Sequence, residues 1–345
     1  MNIVTQDIVN NWKLYKLTND NGMSVSILNF GGIITEINVP NRDNTIENVV
    51  LGYKDYADYE DNPNFFGAII GRVAGRIEGA SFTLDGNTHV LEKNNGANHL
   101  HGGAEGFHQV IWSVTPFQTT ETVGMKLTHT SPDHSGGYAG NLEIAVTYTL
   151  TNHNELSMDY SATTDKTTAL TLTNHSYFNL SGNLVETIHN HHVTMNVDEF
   201  VELDNELIPT GHKIDVTNTS FDFRNGRKLS DGIHSTSTQN LAASHGYDHY
   251  FIFNQKEPSK ITVKDETNGR VMTVTTNQPG VVMYSANTLN EELNLLEGKS
   301  KPYLGVCFET QGSPASLHHE GFPSIVLHAD ETYEKQTVFS FAVEK

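Results

Sequence analysis

One segment of the sequence places an imidazole among polar side chains after an alternating apolar run. Residues 170–180 read LTLTNHSYFNL. Because successive side chains on a strand point to opposite faces, this pattern predicts Leu170 and Leu172 on the core side. His175 and Tyr177 would then face outward, where a sheet can present an imidazole to a cleft for proton transfer. A solvated strand with an incidental histidine is the alternative.

A second apolar run ends in a carboxylate. Residues 303–312 read YLGVCFETQG, so Val306 and Phe308 share one face of a predicted strand while Glu309 lies on the other. A glutamate beside small residues can be partly desolvated. Desolvation raises the pKa of a carboxyl group towards neutrality and makes its ionised form a better base. An exposed or ion-paired glutamate is the alternative.

Three further stretches concentrate polar side chains where a β-protein usually has plain turns. They are residues 71–77 (GRVAGRI, with Arg72 and Arg76), 98–103 (NHLHGG, with His99 and His101) and 245–249 (HGYDH, with Asp248). One imidazole and one carboxylate, surrounded by arginine, histidine, aspartate and tyrosine, suit proton transfer on a neutral molecule with many hydroxyls. Solvated surface loops are the alternative for each stretch.

A metal site is a rival interpretation of the histidines. His99, His101 and Glu105 match the spacing His-x-His-x3-Glu, which is similar to the first metal motif of the cupins. The glycines that frame that motif are replaced here by Lys93 and Trp112, and no second cupin motif follows to supply a fourth ligand. We therefore expect no metal. The histidines in the stretches 189–192 and 318–319 are interpreted as surface residues.

Composition restricts the class of protein. The 345 residues contain 21 Lys and Arg against 41 Asp and Glu, a net charge of −20 with neutral histidine. Such a charge disfavours nucleic acid and anionic membranes as partners. The single cysteine, Cys307, excludes an internal disulfide and is typical of a reducing compartment. With neither a secretory signal nor an apolar run of membrane length, we expect a cytoplasmic protein, a monomer or homodimer.

The elements that must position these residues are mostly strands. The clearest predicted pairs are 24–30 with 33–39 around Gly31-Gly32, 81–84 with 88–91 around Asp85-Gly86-Asn87, and 142–150 with 156–160. Further strands are predicted at 261–263, 271–275, 281–285, 303–310, 324–328 and 337–343. Short helical turns are predicted only at 55–59 and 290–297. Evenly spaced turns without a linker favour one continuous all-β architecture, a large sandwich or barrel.

Taken together, the polar stretches resemble the aldose 1-epimerase family. The matching segments, in the family's order and over most of the chain, are 71–77, 98–103, 173–180, 246–249 and 308–311. The resemblance implies a single β-supersandwich domain over residues 1–345. It also implies an enzyme that interconverts the α and β anomers of free hexoses such as galactose and glucose, by acid–base ring opening and closing without a cofactor or metal.

The resemblance also implies a role for individual residues. Glu309 would be the general base and His175 the general acid, and the sugar would contact Arg76, His101, Tyr177 and Asp248. Two positions depart from the pattern of some relatives, since Gly75 replaces asparagine and Val282 replaces glutamine. Both departures remove side-chain hydrogen bonds to the sugar.

Two alternatives remain beside this interpretation. A hexose-6-phosphate 1-epimerase would need a second cationic group near C6 of the sugar, and Arg72 is the candidate for it. A sugar-binding protein without catalytic activity is the alternative from a different class, although both candidate proton-transfer residues are present.

Overall fold

Strands dominate the computed structural model, which describes residues 1–182, 184, 186–254 and 259–344. The first fourteen strands are β1 (Asn2–Asp7), β2 (Lys13–Thr18), β3 (Ser24–Leu28), β4 (Ile34–Pro40), β5 (Ile46–Asn48), β6 (Ile69–Ile70), β7 (Arg76–Ile77), β8 (Ser81–Leu84), β9 (Asn87–Val90), β10 (His99–Leu100), β11 (Ser113–Gln118), β12 (Thr122–Ser131), β13 (Leu142–Thr151) and β14 (Glu155–Thr164). The others are β15 (Thr168–Ala169), β16 (Thr173–Asn174), β17 (Tyr177–Phe178), β18 (His192–Met195), β19 (Val197–Leu203), β20 (Pro209–Asp215), β21 (Arg227–Lys228), β22 (Asp248–Phe253), β23 (Ser259–Lys264), β24 (Arg270–Thr276), β25 (Gly280–Tyr284), β26 (Val306–Gln311), β27 (Val326–Leu327) and β28 (Tyr333–Val343).

Helices are short. Two are α-helical, α1 (Ser230–Ile233) and α2 (Thr238–Ala242). The 3₁₀ turns are Val9–Asn11, Tyr56–Tyr59, Glu78–Ala80, Gly103–Glu105, Phe107–Gln109, Ser135–Gly137, Ile188–Asn190 and Pro314–Leu317. No helix in the described part of the chain combines the length and the apolar character needed to cross a lipid bilayer.

Three antiparallel sheets share one core. The largest has nine strands in the order β11-β12-β13-β14-β28-β24-β23-β18-β21, the second has six in the order β17-β26-β25-β22-β19-β20, and the third contains β1 to β5 in sequence. One apolar cluster includes Val146 of the nine-stranded sheet, Phe251 of the six-stranded sheet and Val25 of the five-stranded sheet. The all-β prediction and the large sandwich are therefore confirmed.

The six-stranded sheet has one apolar face and one mixed face. On β26, Phe308 belongs to the core cluster while its neighbour Glu309 points to the opposite side. On β25, Val281 is likewise in the core and Val282 is not. Because side chains alternate along each strand, burying one face of this sheet leaves the other free to line a cleft.

The segment 170–180 is not the continuous strand that its alternation predicted. It contains two two-residue strands, β16 and β17, which pair with β6 and β26 respectively, and Thr171 forms a separate bridge to Val73. Thr171 and Thr173, which alternate with the leucines, are buried, as is His175. The prediction was wrong because this segment passes between sheets, so that each dipeptide has its own partner and both sides are covered.

Local turn chemistry was predicted better than helix formation. The Asp85-Gly86 turn joins β8 to β9 with positive φ at both residues, as two-residue hairpins of this type require. The 3₁₀ turn Tyr56–Tyr59 confirms the helical turn expected there. The turn predicted at 290–297 is wrong, because Leu295 forms a β-bridge with Tyr53 instead.

His191 contradicts the surface interpretation of its stretch. It is buried, and its Nε2 accepts a hydrogen bond of 2.7 Å from the backbone N–H of Leu180. This imidazole therefore acts inside the structure, where it satisfies a backbone donor in the turn that follows β17.

Candidate active site

A cleft of about 210 Å³, open at one side, lies on the mixed face of the six-stranded sheet. The residues lining it are Pro63, Asn64, Phe65, Gly75, Arg76, Leu100, His101, His175, Tyr177, Leu203, Leu207, Pro209, Asp248, Tyr250, Val282, Tyr284, Thr288, Glu309, Gln311, Ser313 and Pro314. All six residues that the sequence proposed as a site are among them.

Cross-strand register brings distant parts of the sequence together on the cleft floor. Tyr177 pairs with Cys307, which pairs with Tyr284, which pairs with Asp248. These four residues form a row across β17, β26, β25 and β22, and Glu309 follows two residues after Cys307 on the same face. The carboxylates of β22 and β26 therefore share one surface, although 61 residues separate them in the sequence.

The opposite wall carries Arg76 and His101. Arg76 lies on β7 and pairs with Leu100 of β10, which places His101 next to the same ribbon. The backbone N–H of Gly75 donates to Nδ1 of His101 at 3.1 Å. A neutral imidazole that accepts at Nδ1 must carry its hydrogen on Nε2, so His101 offers a donor. Burial, and next the neighbouring His175, lower the pKa of His101 well below its usual value and keep it neutral.

His175 and Glu309 face each other within the cleft. Nε2 of His175 lies 3.5 Å from Oε1 of Glu309, and both residues are buried. Desolvation raises the pKa of Glu309 well above its usual range, and the charge of Asp248 adds to the effect while Arg76 opposes it. Desolvation also lowers the pKa of His175 to about 4. Burial thus disfavours the charged form of both members of the pair, which titrate together.

Arg76 and Asp248 form the polar end of the cleft. Nη1 of Arg76 lies 3.8 Å from Oδ2 of Asp248, and Nε of Arg76 donates to Oδ1 of Asn95 at 3.0 Å. Burial raises the pKa of Asp248, and the nearby guanidinium counteracts that rise. A fixed fork of N–H donors beside a carboxylate acceptor suits vicinal hydroxyl groups, each of which both donates and accepts hydrogen bonds.

The sequence as a whole matches one protein family. The profile described as aldose 1-epimerase matches residues 13–340. The chain belongs to this family. The galactose mutarotase of Bos taurus is 37% identical over 324 residues, which are 93% of this chain and 92% of the relative. The maltose epimerase of Levilactobacillus brevis is 33% identical over 331 residues, 95% of this chain and 94% of the relative.

Solved structures agree with the family assignment. The crystal structure of galactose 1-epimerase from Lactobacillus acidophilus NCFM superimposes with a TM-score of 0.87 at 30% sequence identity, covering 100% of this chain and 99% of that one. The protein is therefore an aldose 1-epimerase, an isomerase, and its three sheets form the fold of that family.

Arg72 does not belong to the epimerase cleft. Only 3% of it is exposed, and its guanidinium donates to the carbonyl oxygens of Ser131, Pro132, Ala139 and Gly140 and to the hydroxyl of Ser131. These contacts hold the guanidinium against the loop that follows β12. Arg72 thus cannot serve as the C6 phosphate ligand that a hexose-6-phosphate epimerase would need.

The cupin-like set of possible metal ligands does not converge. Nδ1 of His99 donates to the carbonyl oxygen of Glu92 at 2.7 Å, whereas Glu105 accepts from Ser135 and Gly136 in a different loop. The spacing matched by chance, because strand β10 ends at Leu100 and Glu105 lies in the 3₁₀ turn Gly103–Glu105.

A different trio has metal-like spacing. Within the described residues, donor atoms of His101, His175 and Glu309 lie within 4.8 Å of one another. Because Nδ1 of His101 already accepts the Gly75 N–H, its Nε2 carries hydrogen and has no free lone pair. Metal ligation would require that bond to break, so the trio fits a hydrogen-bonding site better than a metal site.

Sequence reasoning missed several residues in or directly beside the cleft. Cys307 is one: its Sγ lies 3.6 Å from Nδ1 of His175. Gln311 is another: its side-chain amide donates to the carbonyl oxygen of Ala74 at 3.0 Å. This bond connects β26 to the residues that immediately precede Arg76. Both share the face of Glu309 by the alternation of β26, which was the available signal. Phe65 lies in a turn, and no periodic pattern pointed to it.

Proposed function

We propose that the cleft converts the α and β anomers of free aldohexoses, galactose and glucose among them, with Glu309 as general base and His175 as general acid. The observation that carries this proposal is the 3.5 Å approach of the two groups on the surface of one cleft. The relatives named galactose mutarotase and maltose epimerase support free sugars with a reducing end as the substrate class.

The single proton of the pair is sufficient for the reaction. With Glu309 as carboxylate and His175 as imidazolium, Glu309 removes the proton of the C1 hydroxyl while His175 gives its proton to the ring oxygen. The bond between C1 and the ring oxygen breaks, and C1 becomes an aldehyde. Rotation about C1–C2 presents the other carbonyl face. Glu309 then returns its proton to the aldehyde oxygen, and His175 takes one from the C5 hydroxyl as the ring closes.

The other cleft residues hold the sugar and stabilise developing charge. Nε2–H of His101 and the guanidinium of Arg76 donate to oxygens near C1 and the ring oxygen, where negative charge develops. Asp248 accepts from hydroxyls further round the ring. The hydroxyl of Tyr177 already donates to the carbonyl oxygen of Asn64 at 3.0 Å, so this residue contributes its ring to the cleft wall.

The reaction contains no redox or carbanion step, and we therefore propose no cofactor. The proposals of a cytoplasmic location and of a monomer or homodimer rest on composition alone. The single domain is proposed from the core that the three large sheets share.

Polarimetry on freshly dissolved α-D-galactose, α-D-glucose and glucose 6-phosphate tests the proposed function. We expect the enzyme to accelerate the approach to rotational equilibrium for the free sugars and to leave the phosphate ester near its uncatalysed rate. An enzyme that bound galactose in calorimetry without accelerating its mutarotation would contradict the catalytic proposal. A preference for the 6-phosphate would contradict the substrate class.

A further inference from the structure

Phe65 contacts three imidazoles around the cleft. Its ring centroid lies 4.8 Å from that of His101, 4.9 Å from that of His108 and 5.8 Å from that of His175. The side chain is half-buried and lines the cleft. The phenyl ring takes no part in the proton transfers, yet it contacts both histidines that line the cleft, His101 and His175.

The backbone of Phe65 is held in a conformation that bulky residues rarely adopt. Its φ is +57°, in the left-handed region. The N–H of Phe65 donates to the carbonyl oxygen of Asn62 at 2.9 Å, and its own carbonyl accepts from Ala68 at 3.1 Å. The side chain of Asn62 bonds both to N–H and to C=O of Phe66. Such conformations persist where the surroundings over-determine them, which happens often at functional sites.

The same loop fixes the backbone of His175. The N–H of Gly67 donates to the carbonyl oxygen of His175 at 3.0 Å, and the N–H of His175 donates to the carbonyl oxygen of Ala68 at 2.9 Å. One loop therefore holds the main chain of the proton donor and also presents an aromatic ring to its imidazole.

We propose that Phe65 is a positioning residue for His175. The phenyl ring of Phe65 directs the imidazole of His175 towards Glu309 and excludes water from that imidazole. The proposal rests on the proposed function only for the part that His175 takes in catalysis. The arrangement of the ring, the loop and the imidazole stands independently of it.

The remaining groups that face His175 are polar or titratable. They are Glu309 at Nε2 (3.5 Å), Cys307 at Nδ1 (3.6 Å), the rings of Tyr177 (5.1 Å) and His101 (5.4 Å), and, further away, the charges of Arg76 and His108. Removing the Phe65 ring would leave space for water beside these groups. Hydration favours the charged imidazolium, so the pKa of His175, about 4 with the ring in place, should rise towards its ordinary value of about 6.5.

Four variants test the proposal. Phe65→Ala removes the ring, Phe65→Leu replaces it with an aliphatic group, and Phe65→Tyr retains it. Leu207→Ala is the matched control, because Leu207 also lines the cleft with a positive φ, of +62°, but lies on the turn between β19 and β20. Each is assayed for kcat and KM on galactose across pH.

We expect Phe65→Ala to lower kcat by about 10²-fold, the effect of misplacing a reacting group by about 1 Å. We also expect the acid limb of its kcat profile to move to higher pH, because a hydrated His175 gains the extra proton more readily. Phe65→Leu should change in the same direction by less, and Phe65→Tyr should stay near wild type. Leu207→Ala should change KM at most and leave the acid limb where it is.

An NMR titration of the His175 imidazole in the sugar-free enzyme separates this proposal from the proposed function. The midpoint should rise in Phe65→Ala and not in Leu207→Ala, whatever the enzyme catalyses. An unmoved midpoint, or a lower kcat with an unmoved acid limb, would overturn the positioning role. If Phe65→Ala does not fold, the same criteria apply to Phe65→Leu. A wild-type enzyme inactive on galactose would instead refute the proposed function and leave the titration to decide on Phe65.

Discussion

Burial disfavours the charge on both the carboxyl group of Glu309 and the imidazole of His175. In the free site, desolvation favours a neutral acid beside a neutral base. The catalytic arrangement, carboxylate beside imidazolium, contains the same number of protons and differs only in where that proton lies. A bound sugar that donates to Glu309 and accepts from His175 stabilises the charged arrangement, so the substrate itself brings the pair into its reactive state.

Removing either partner should abolish most of the activity. Glu309→Gln keeps the shape but cannot accept the C1 proton, and His175→Asn cannot supply a proton to the ring oxygen. We expect each to lower kcat by about 10²–10⁴, the usual contribution of a positioned acid or base. Polarimetry measures the rate and circular dichroism monitors the fold. A folded variant of either kind that mutarotates galactose at the wild-type rate would show that the roles are assigned wrongly.

The pH profile should have two limbs that belong to the pair. Below about pH 4, His175 takes up a second proton, both members are protonated, and no base remains. Above the raised pKa of Glu309 the pair loses its one proton, and no acid remains. The rate should therefore fall on both sides of a plateau between these two limits. Glu309→Gln leaves His175 as the only titrating member, so its residual rate should fall as His175 loses its proton and should lack the wild-type alkaline limb; a wild-type alkaline limb in this variant would assign that limb to another group.

At the scale of elements, the site depends on loops that approach the sheets closely. Gly67 has a φ of +65°, and a Cβ at this position would overlap the carbonyl oxygen of Ile34. The carbonyl oxygen of Gly67 accepts from the backbone N–H of Ile34 and from the side chain of Asn174, while its N–H holds His175. Only glycine fits this crossing between the five-stranded sheet and the segment that carries the proton donor.

Gly67→Ala should therefore lower both stability and activity. We expect the free energy of unfolding to fall by about 2 kcal/mol or more, since a methyl group adds overlap to backbone strain. Gly86→Ala is the control: its φ is also positive, +75°, but no atom lies within 4 Å of the added methyl group. It should lose about 1 kcal/mol from strain alone. Urea denaturation measures the free energy of unfolding of both variants. Equal losses in the two variants would mean that the overlap with Ile34 is unimportant.

Elements could be predicted from sequence where one local rule decided them, and not where a distant partner did. The β8–β9 hairpin follows from Asp85-Gly86, and the face of β26 follows from alternation that ends in Glu309. The segment around His175 could not be predicted in this way, because its partners β6 and β26 are remote in sequence. For the same reason, alternation alone could not predict that Glu309 lies next to His175. That proximity was predicted from the resemblance, which rests on five family motifs in order. Phe65 lies in a turn without a motif, so its contact with His175 was not predicted.

At the scale of the whole molecule, we propose that the chain is a single domain. Its C-terminal strand β28 lies between β14 and β24 in the middle of the nine-stranded sheet. Strands from early and late parts of the sequence are therefore hydrogen-bonded neighbours in one sheet. One apolar cluster contains residues from all three large sheets. A boundary that divided the chain into independently folding parts would have to cut through this sheet and this core.

Arg270 tests that proposal because it joins three regions of the chain. It begins β24, is 1% exposed, and its guanidinium lies 2.5 Å from the carboxylate of Glu47 on β5. It also donates to the carbonyl oxygens of Leu180 and Ser181 after β17, and to that of Val39 on β4. Removing this buried cation leaves the carboxylate of Glu47 without its partner, although Asn268 still donates to the carbonyl oxygens of Leu180 and Ser181. Breaking a buried ion pair costs about 3–5 kcal/mol. Arg270→Met should lose about that much stability.

The number of unfolding transitions distinguishes one domain from two. In a single cooperative unit, the stability lost at Arg270 lowers the stability of the whole chain. Wild type and Arg270→Met should therefore each unfold in one calorimetric transition, with equal calorimetric and van't Hoff enthalpies. Arg42→Met is the control, because Arg42 is exposed and, among the described residues, its side chain donates only to the carbonyl oxygens of Glu266 and Glu344. This variant should lose little stability. If Arg270→Met instead separated the melting curve into two steps, with only one of them moved, the sheets on either side of this arginine would be independent units, and the cleft would belong to one of them alone.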